Sequence, residues 1–341
     1  MEKRIKNETM NLKMFGVNSA GIKCKLDSFN NILNRLKPQI WSVQETKLRN
    51  NEILECEAVK KYQVFYLYRQ NSQGGGLAIG VDKELESTLV REGNDDVEAI
   101  VVQVVIGKLP VRVVTAYGPQ ENALKEKKEQ FWAFLEEEAV QAELEGHGLI
   151  VQMDGNLHAG PDFIKNDPNP QNHNGKLFMQ YLERNPFLFV ANKLDICEGL
   201  ITRQREVQNR TEKAILDFFL MNELMRPFLS KMIIDEERNF CLSNFAQFKK
   251  NKRVVETDHN LMIAEFTISV PKRKPERIEM FNLRNRVCLE AFSKETEENL
   301  QLVECLENDL PFEIQCRKWL KTFNATLHKC FKKVRVVNND K

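Results

Sequence analysis

The chain has 341 residues, of which 42% are hydrophobic and 29% charged, and its net charge is +1 at pH 7. That length allows one large domain or one domain with an extension, and the apolar content allows a sizeable core. Near-zero net charge excludes a uniformly basic polyanion binder, so any contact with nucleic acid must come from local patches.

In chain order, residues 11–18 predict a strand that ends at Asn18. Leu26, Phe29, Ile32, Leu33 and Leu36 recur at helical spacing, and Pro38 closes that helix. Ile40 to Gln44 predicts a second strand, with Glu45 as its first charge. Residues 62–68 are aromatic and β-rich. Gly74-Gly75-Gly76 precedes a strand over 77–81 and lacks Gly-Lys-Ser/Thr, so it predicts a hairpin turn or close backbone approach rather than a phosphate loop. Residues 97–106 and 111–117 predict a hairpin around Gly107-Lys108, ending at Tyr117-Gly118-Pro119. A charged helix follows from about residue 123 to 142, with Phe131, Trp132, Phe134 and Leu135 on its inner face.

Leu149-Ile150-Val151-Gln152-Met153 predicts a buried strand that stops at Asp154-Gly155-Asn156. Taken alone, Asp-Gly-Asn is an ordinary turn. Residues 157–174 predict a long loop, followed by a helix near 176–184 and a strand near 187–191. Residues 199–213 carry Thr202, Arg203, Arg205, Arg210 and Lys213 and predict an exposed basic loop. Ala214 to Met221 predicts a buried strand interrupted by Asp217. Lys249, Lys250, Lys252 and Arg253 form a second basic stretch leading into Thr257-Asp258-His259, and 261–270 is the last clear strand. Lys272-Arg273-Lys274-Pro275 predicts a linker, so the expected division is a domain over 1–270 and a linker with a helical, strand-free extension over 271–341.

The eight cysteines (24, 56, 197, 241, 288, 305, 316 and 330) include no Cys-x-x-Cys pair, which excludes zinc-finger spacing. Met1-Glu2-Lys3-Arg4-Ile5-Lys6 leads into no apolar segment, and no stretch approaches the roughly 18–20 apolar residues of a membrane span. The expectation is an intracellular protein with reduced thiols and no membrane partner. The strands do not alternate strictly with helices. Two mixed or antiparallel sheets packed face to face, with helices outside, fit better than a doubly wound parallel sheet.

Polar groups collect at the predicted strand ends: Asn18, Glu45, Tyr117, Asp154, Asn156, Asp258 and His259, with Asp217 inside a strand. Each has an ordinary structural reading, as a turn cap, a loop opener or a half-buried ring. Asp217 is the exception, because a carboxylate within an apolar run is costly to bury without a partner. His259 would be such a partner, and the pairing would favour the imidazolium. Together these types suit metal-assisted phosphodiester hydrolysis. Glu45 is a hard oxygen ligand for Mg2+, Asp154 a base for water, Asn156 an orienting amide, and His259 and Tyr117 donors to phosphate oxygens.

The ordered set Asn18, Gln44-Glu45-Thr46, Tyr117-Gly118-Pro119, Asp154-Gly155-Asn156, Asp217 and Thr257-Asp258-His259 resembles the exonuclease–endonuclease–phosphatase superfamily over residues 11–270. Within it, the resemblance is to the apurinic/apyrimidinic-endonuclease-like domain of LINE-type non-LTR retrotransposons. Phe281-Asn282-Leu283-Arg284 resembles the segment that follows the endonuclease in such open reading frames. The resemblance implies an α/β four-layered sandwich of two mixed β-sheets with helices outside. It implies Mg2+-dependent DNA nicking, with Mn2+ as a substitute, that leaves a 3′-hydroxyl and a 5′-phosphate as in target-primed retrotransposition. It makes Glu45 the principal metal ligand, with Asp154, Asn156 and Asp258 as further ligands or their supports. His259 contacts the phosphate and is oriented by Asp217, and Asn18 and Tyr117 complete the pocket.

The implied partner is DNA, contacted by Thr202, Arg203, Arg205, Arg210, Lys249 and Lys250. No reverse transcriptase follows in these residues, so that module is expected in trans or as lost. Localisation in the nucleus is expected from the DNA substrate alone, without a targeting signal. Ala20 stands where repair enzymes of the superfamily carry aspartate, and Thr257 where serine is common. Three alternatives stay open. They are an abasic-site repair endonuclease, a superfamily phosphatase of lipid or inositol phosphates, and a catalytically idle retrotransposon-derived binding protein.

Overall fold

The structure, a computed structural model, describes residues 8–69, 74–208, 210–244 and 255–270, with short pieces at 279–281, 293–294, 326 and 333–335. The chain divides into two compact units, Met1–Pro271 and Lys272–Lys341. In the first unit the order is β1 (Glu8–Asn18), α1 (Leu26–Leu36), β2 (Ile40–Gln44), β3 (Tyr62–Leu67), β4 (Leu77–Asp82), β5 (Glu86–Glu92), β6 (Glu98–Ile106) and β7 (Leu109–Tyr117). Then come α2 (Lys125–Glu145), β8 (Gly148–Asp154), α3 (His173–Arg184), β9 (Leu188–Val190), β10 (Cys197–Glu198), β11 (Arg203–Val207), β12 (Arg210–Ala214), β13 (Asp217–Asn222), β14 (Leu229–Ile234) and β15 (Met262–Val270).

Two mixed sheets form the centre. One is seven-stranded in the order β10-β14-β15-β1-β2-β4-β3, the other six-stranded in the order β5-β6-β7-β8-β13-β9. β1 runs parallel to β2, and β7 parallel to β8, and the Asn18–Asp154 and Tyr117–Glu45 hydrogen bonds bring the C-terminal ends of all four strands to one rim. β13 is antiparallel to β8 in a register that sets Asp217 beside Asp154. It therefore reaches the same rim with its first residue.

Alternation along the strands builds the middle of the sandwich. Leu12 and Met14 of β1, Ile40 of β2, Val111 and Val113 of β7 and Ile150 of β8 all point inward and are buried. The opposite face of the first sheet is covered by α1. Phe29 of that helix meets Trp41 of β2 edge-to-face, with ring centroids 5.1 Å apart. On the second sheet, α2 and α3 supply Phe131, Trp132, Leu135, Phe178 and Tyr181. The result is four layers, helix, sheet, sheet, helix. Local chemistry sets the helix ends. Gly146 takes a left-handed conformation at the C-terminus of α2, and the Asn172 side chain caps α3 by accepting from the Gly175 N–H.

The structure departs from the sequence reading in four places. Within residues 199–213, expected as an exposed basic loop, the chain forms the β11–β12 hairpin, which also takes Ala214 from the expected strand. Neither strand alternates apolar with polar residues, so the period-2 signal is missing. Asp217 opens β13 rather than interrupting it, because Ile215 and Leu216 belong to the approach to that strand. β5 and β14 were not anticipated, and β5 lies at a sheet edge and is largely exposed. In the second unit, where no strand was expected, β16 (Glu279–Phe281) pairs antiparallel with β17 (Lys333–Arg335). Ser293, Lys294 and Thr326 are helical, and the remainder of the expected linker and helical extension, with the basic stretch that holds Lys249 and Lys250, lies outside the described residues. Among the described residues no helix is long and apolar enough to cross a membrane.

Candidate functional site

The rim of the sandwich gathers the strand-end residues. Asn18 ends β1 and is buried, and its Nδ2 donates to Asp154 Oδ2 at 2.7 Å and to Glu45 Oε1 at 3.4 Å. One amide thus links a carboxylate from each sheet. Tyr117, at the end of β7, donates its hydroxyl to Glu45 Oε1 at 2.6 Å. Burial works against a charge on Glu45, but the Tyr117 hydroxyl and the Lys47 ammonium hold its carboxyl below the usual range. Lys47 Nζ lies 3.0 Å from Glu45 Oε2, so this corner already takes positive charge. A cleft of about 410 Å3 opens beside Glu45, bounded by Tyr117, Gly118, Lys127, Asp96 and Glu98.

Asp154 ends β8 and is 1% exposed. Its Oδ1 accepts the Asn156 backbone N–H at 3.0 Å. The Asn156 amide is expected to orient this carboxylate or the attacking water. Its Nδ2 turns to Gly118 O at 2.8 Å, and the backbone, bent into the left-handed region at φ 47°, does the orienting. The amide also meets the Tyr117 hydroxyl.

Opposite Asp154, Asp217 Oδ2 contacts His259 Nδ1 at 2.9 Å, and His259 Nε2 points back to Asp154 Oδ2 at 3.8 Å. The imidazole therefore sits between two carboxylates. Burial opposes its charge, but the Asp217 and Asp154 carboxylates override that and raise His259 to about 9. Burial, and then the like charge of Asp217, lifts Asp154 to about 7. Asp154, Asp217 and His259 offer ligand atoms within 4.8 Å of one another, a spacing that could hold a metal ion. A protonated His259 fills that space with its own positive charge. The half-buried Glu45 carboxylate, at the edge of the cleft, is the better place for a hard cation.

Asp258, expected as a metal ligand or as the support of one, is paired with an arginine. Its Oδ2 accepts from Arg203 Nε and Nη2, each at 2.7 Å. Burial raises the carboxyl, and the His259 and Arg203 charges outweigh it and hold it below the usual range. Arg203, expected at a DNA groove, thus serves a carboxylate next to His259. Thr202, another expected DNA contact, is fully buried, and its Oγ1 accepts the Leu216 and Asp217 backbone N–H groups. It shapes the approach to Asp217 and is out of reach of a ligand. Arg205 and Arg210 remain exposed on the hairpin.

Sequence reasoning missed the layer beneath the rim. Ser42, Gln44, Thr115 and Gln152 are fully buried, and Gln152 Oε1 accepts from Ser42 Oγ, from Gln44 Nε2 at 2.5 Å and from Thr115 Oγ1 at 3.2 Å. Gly16 completes it, for a Cβ there would lie 1.9 Å from Gln152 Cδ. Gly16, Thr115 and Gln152 stand two residues before Asn18, Tyr117 and Asp154, Gln44 stands immediately before Glu45 and Ser42 three before it, all on inward-facing positions. The available signal was a polar residue on a face that is otherwise apolar. Lys25 was missed as well. It is wholly buried, burial lowers its pKa, and its ammonium donates to Ser19 O behind Asn18.

No protein-family model matches the chain, and no curated protein matches it in sequence. Solved structures do match. The endonuclease domain of TRAS1, a telomere-specific non-LTR retrotransposon, is 16% identical with a TM-score of 0.54, covering 75% of this chain and 98% of its own. An AP endonuclease from Archaeoglobus fulgidus is 18% identical with a TM-score of 0.54, covering 75% and 99%. The Xenopus laevis APE2 catalytic domain is 14% identical with a TM-score of 0.57, covering 76% and 94%. At these identities the likeness is one of fold. The chain shares the α/β sandwich of these solved structures, two mixed sheets with helices outside.

Proposed function

We propose that the chain is a metal-dependent phosphodiester hydrolase that nicks DNA to leave a 3′-hydroxyl and a 5′-phosphate, as in the retrotransposon branch of the exonuclease–endonuclease–phosphatase superfamily. The observation that carries the reading is the His259 cation held between Asp217 and Asp154, at the same rim as Glu45, Asn18 and Tyr117. A structural ion pair needs only one carboxylate. Here a second carboxylate faces the imidazole at 3.8 Å, and burial keeps that second group poised near neutrality.

The residues present fit Mg2+, with Mn2+ as a substitute. Glu45 is anionic, and its Oε2 already carries an ammonium that a divalent cation would replace. The ion would supply charge to polarise a phosphate and stabilise the leaving oxygen. Asp154, when ionised, accepts the proton of the attacking water. Asn18 holds Asp154 at a fixed distance from Glu45, and Asn156 fixes its other oxygen through the backbone. His259 and Tyr117 donate to phosphate oxygens as charge builds. Asp258 would have to leave Arg203 to join the metal. Arg205, Arg210 and Lys213 are exposed cations on the hairpin suited to a DNA backbone.

Supercoiled plasmid incubated with Mg2+ tests the reading. Relaxation that requires Mg2+ and is lost in Glu45→Ala and His259→Ala supports it, and no nicking at any Mg2+ concentration favours the idle binding protein instead. The AP endonucleases among the similar folds keep a second reading in view. An abasic-site oligonucleotide cut far faster than intact DNA would move the assignment to repair.

A further inference from the structure

Glu45 and Lys47 are two non-glycine residues in the left-handed region, with φ of 47° and 52°. A backbone bent this way on both sides of Thr46 persists only where the surroundings hold it. The glycine turn provides the grip. Thr46 N–H donates to Gly76 O at 3.0 Å, and Lys47 N–H to Gly75 O at 2.9 Å. The turn is itself in positive φ, with Gly75 at 65° and Gly76 at 85°. A Cβ on Gly76 would lie 2.8 Å from Thr46 Oγ1, so the contact requires glycine.

The turn is fastened from the other sheet by Glu98. This residue opens β6, is 5% exposed, and has no part in the chemistry proposed above. Its Oε2 accepts the Gly76 N–H at 2.7 Å, and its Oε1 pairs with Arg69, which precedes the turn. A Cβ on Gly75 would lie 2.2 Å from Glu98 Oε2, so the turn wraps the carboxylate closely. Glu98 is also the cross-strand neighbour of Tyr117. Two adjacent side chains of the second sheet thus grip the same segment of the first, Tyr117 by the Glu45 carboxylate and Glu98 by the backbone that carries it.

We propose that Glu98 is a positioning residue that sets the Glu45 carboxylate for a divalent cation through the Gly75-Gly76 turn, an inference that rests on the metal-dependent reading above. Glu98 does not touch the cation. It fixes the angle at which Glu45 presents its oxygens.

The test uses the full chain and Mn2+ as the probe, with calorimetry for affinity and amide hydrogen exchange of the metal-free protein. Glu98→Ala is expected to speed exchange at Thr46 and Lys47 while Val101 and Val151 keep their protection, a local opening rather than a global one. Mn2+ affinity should fall by about tenfold. Glu98→Gln keeps an acceptor for the Gly76 N–H and should recover most of both. Gly76→Ala strains the turn without altering Glu98 and should reproduce both changes. Equal Mn2+ binding by the wild type and Glu45→Ala overturns the metal reading and this proposal with it. Normal wild-type binding, with exchange and affinity unchanged in Glu98→Ala and Gly76→Ala, overturns this proposal alone.

Discussion

Asp217→Asn isolates what the buried carboxylate does for His259. The substitution keeps volume and removes the charge that faces Nδ1 at 2.9 Å. His259 is raised from an ordinary 6.5 to about 9, against a burial effect that would lower it. At 1.36 kcal/mol per pH unit that corresponds to on the order of 3 kcal/mol in favour of the imidazolium. If the loss of Asp217 returns His259 to about 6.5, only about 10% of the ring is charged at pH 7.5, so the single-turnover nicking rate there should drop by about tenfold from protonation alone. The acid limb should move as well, since Asp217 is the like charge that helps lift Asp154 to about 7. The pH profile of Asp217→Asn is therefore expected to shift bodily to lower pH, falling above about 6.5 rather than about 9. A proton NMR titration of the His259 ring in the metal-free protein measures the same change without catalysis. A falling limb that stays near 9 in the variant would refute the electrostatic role assigned to Asp217.

Asp154→Asn preserves shape and removes the base, and should slow nicking by roughly 10²–10⁴ with DNA binding nearly unchanged in filter assays. A variant that nicks as fast as the parent would sink the proposed mechanism. Gly16→Ala should destabilise the fold by about 1–3 kcal/mol in urea, because the new methyl overlaps Gln152. Adding Gln152→Ala should return part of that loss, and an unchanged midpoint in the single variant would disprove the close approach. Stability should also fall as pH rises from 6.5 to 9. His259 and Asp154 are both raised in the folded state, so the folded protein binds more protons than the unfolded chain across the window that ends at about 7 for Asp154 and about 9 for His259. Urea midpoints that increase over that range would contradict the assignment.

How much of this could be read beforehand varied with the physics of each element. β1, β2, β7 and β8 are legible because each apolar run stops at its polar end residue, so Asn18, Glu45, Tyr117 and Asp154 announce themselves as rim residues. Asp217 looked like a charge inside a strand. The run Ile215-Leu216 is apolar but lies outside β13, where Gly155 N–H bonds to Leu216 O, and only the antiparallel register reveals that Asp217 starts the strand at the rim. The β11–β12 hairpin was invisible because its residues are polar on both faces. That concealed Arg203, whose attachment to Asp258 depends on a strand-like bridge between Arg203 and His259. Glu98 and Gln152 were hidden differently. Each is a polar letter in a largely apolar strand, and its purpose appears only when the two sheets are stacked.

The buried amide layer also bears on how the strands choose their partners. Side chains alternate faces, so sliding β2 or β8 by one residue would turn Gln44 or Gln152 outward, under the helices, and break every bond each makes across the sheets. An all-apolar interior would tolerate such slips far better. Ser42, Gln44, Thr115 and Gln152 therefore act as a vernier. They penalise wrong alignments during folding, one step below the residues whose alignment the chemistry would need.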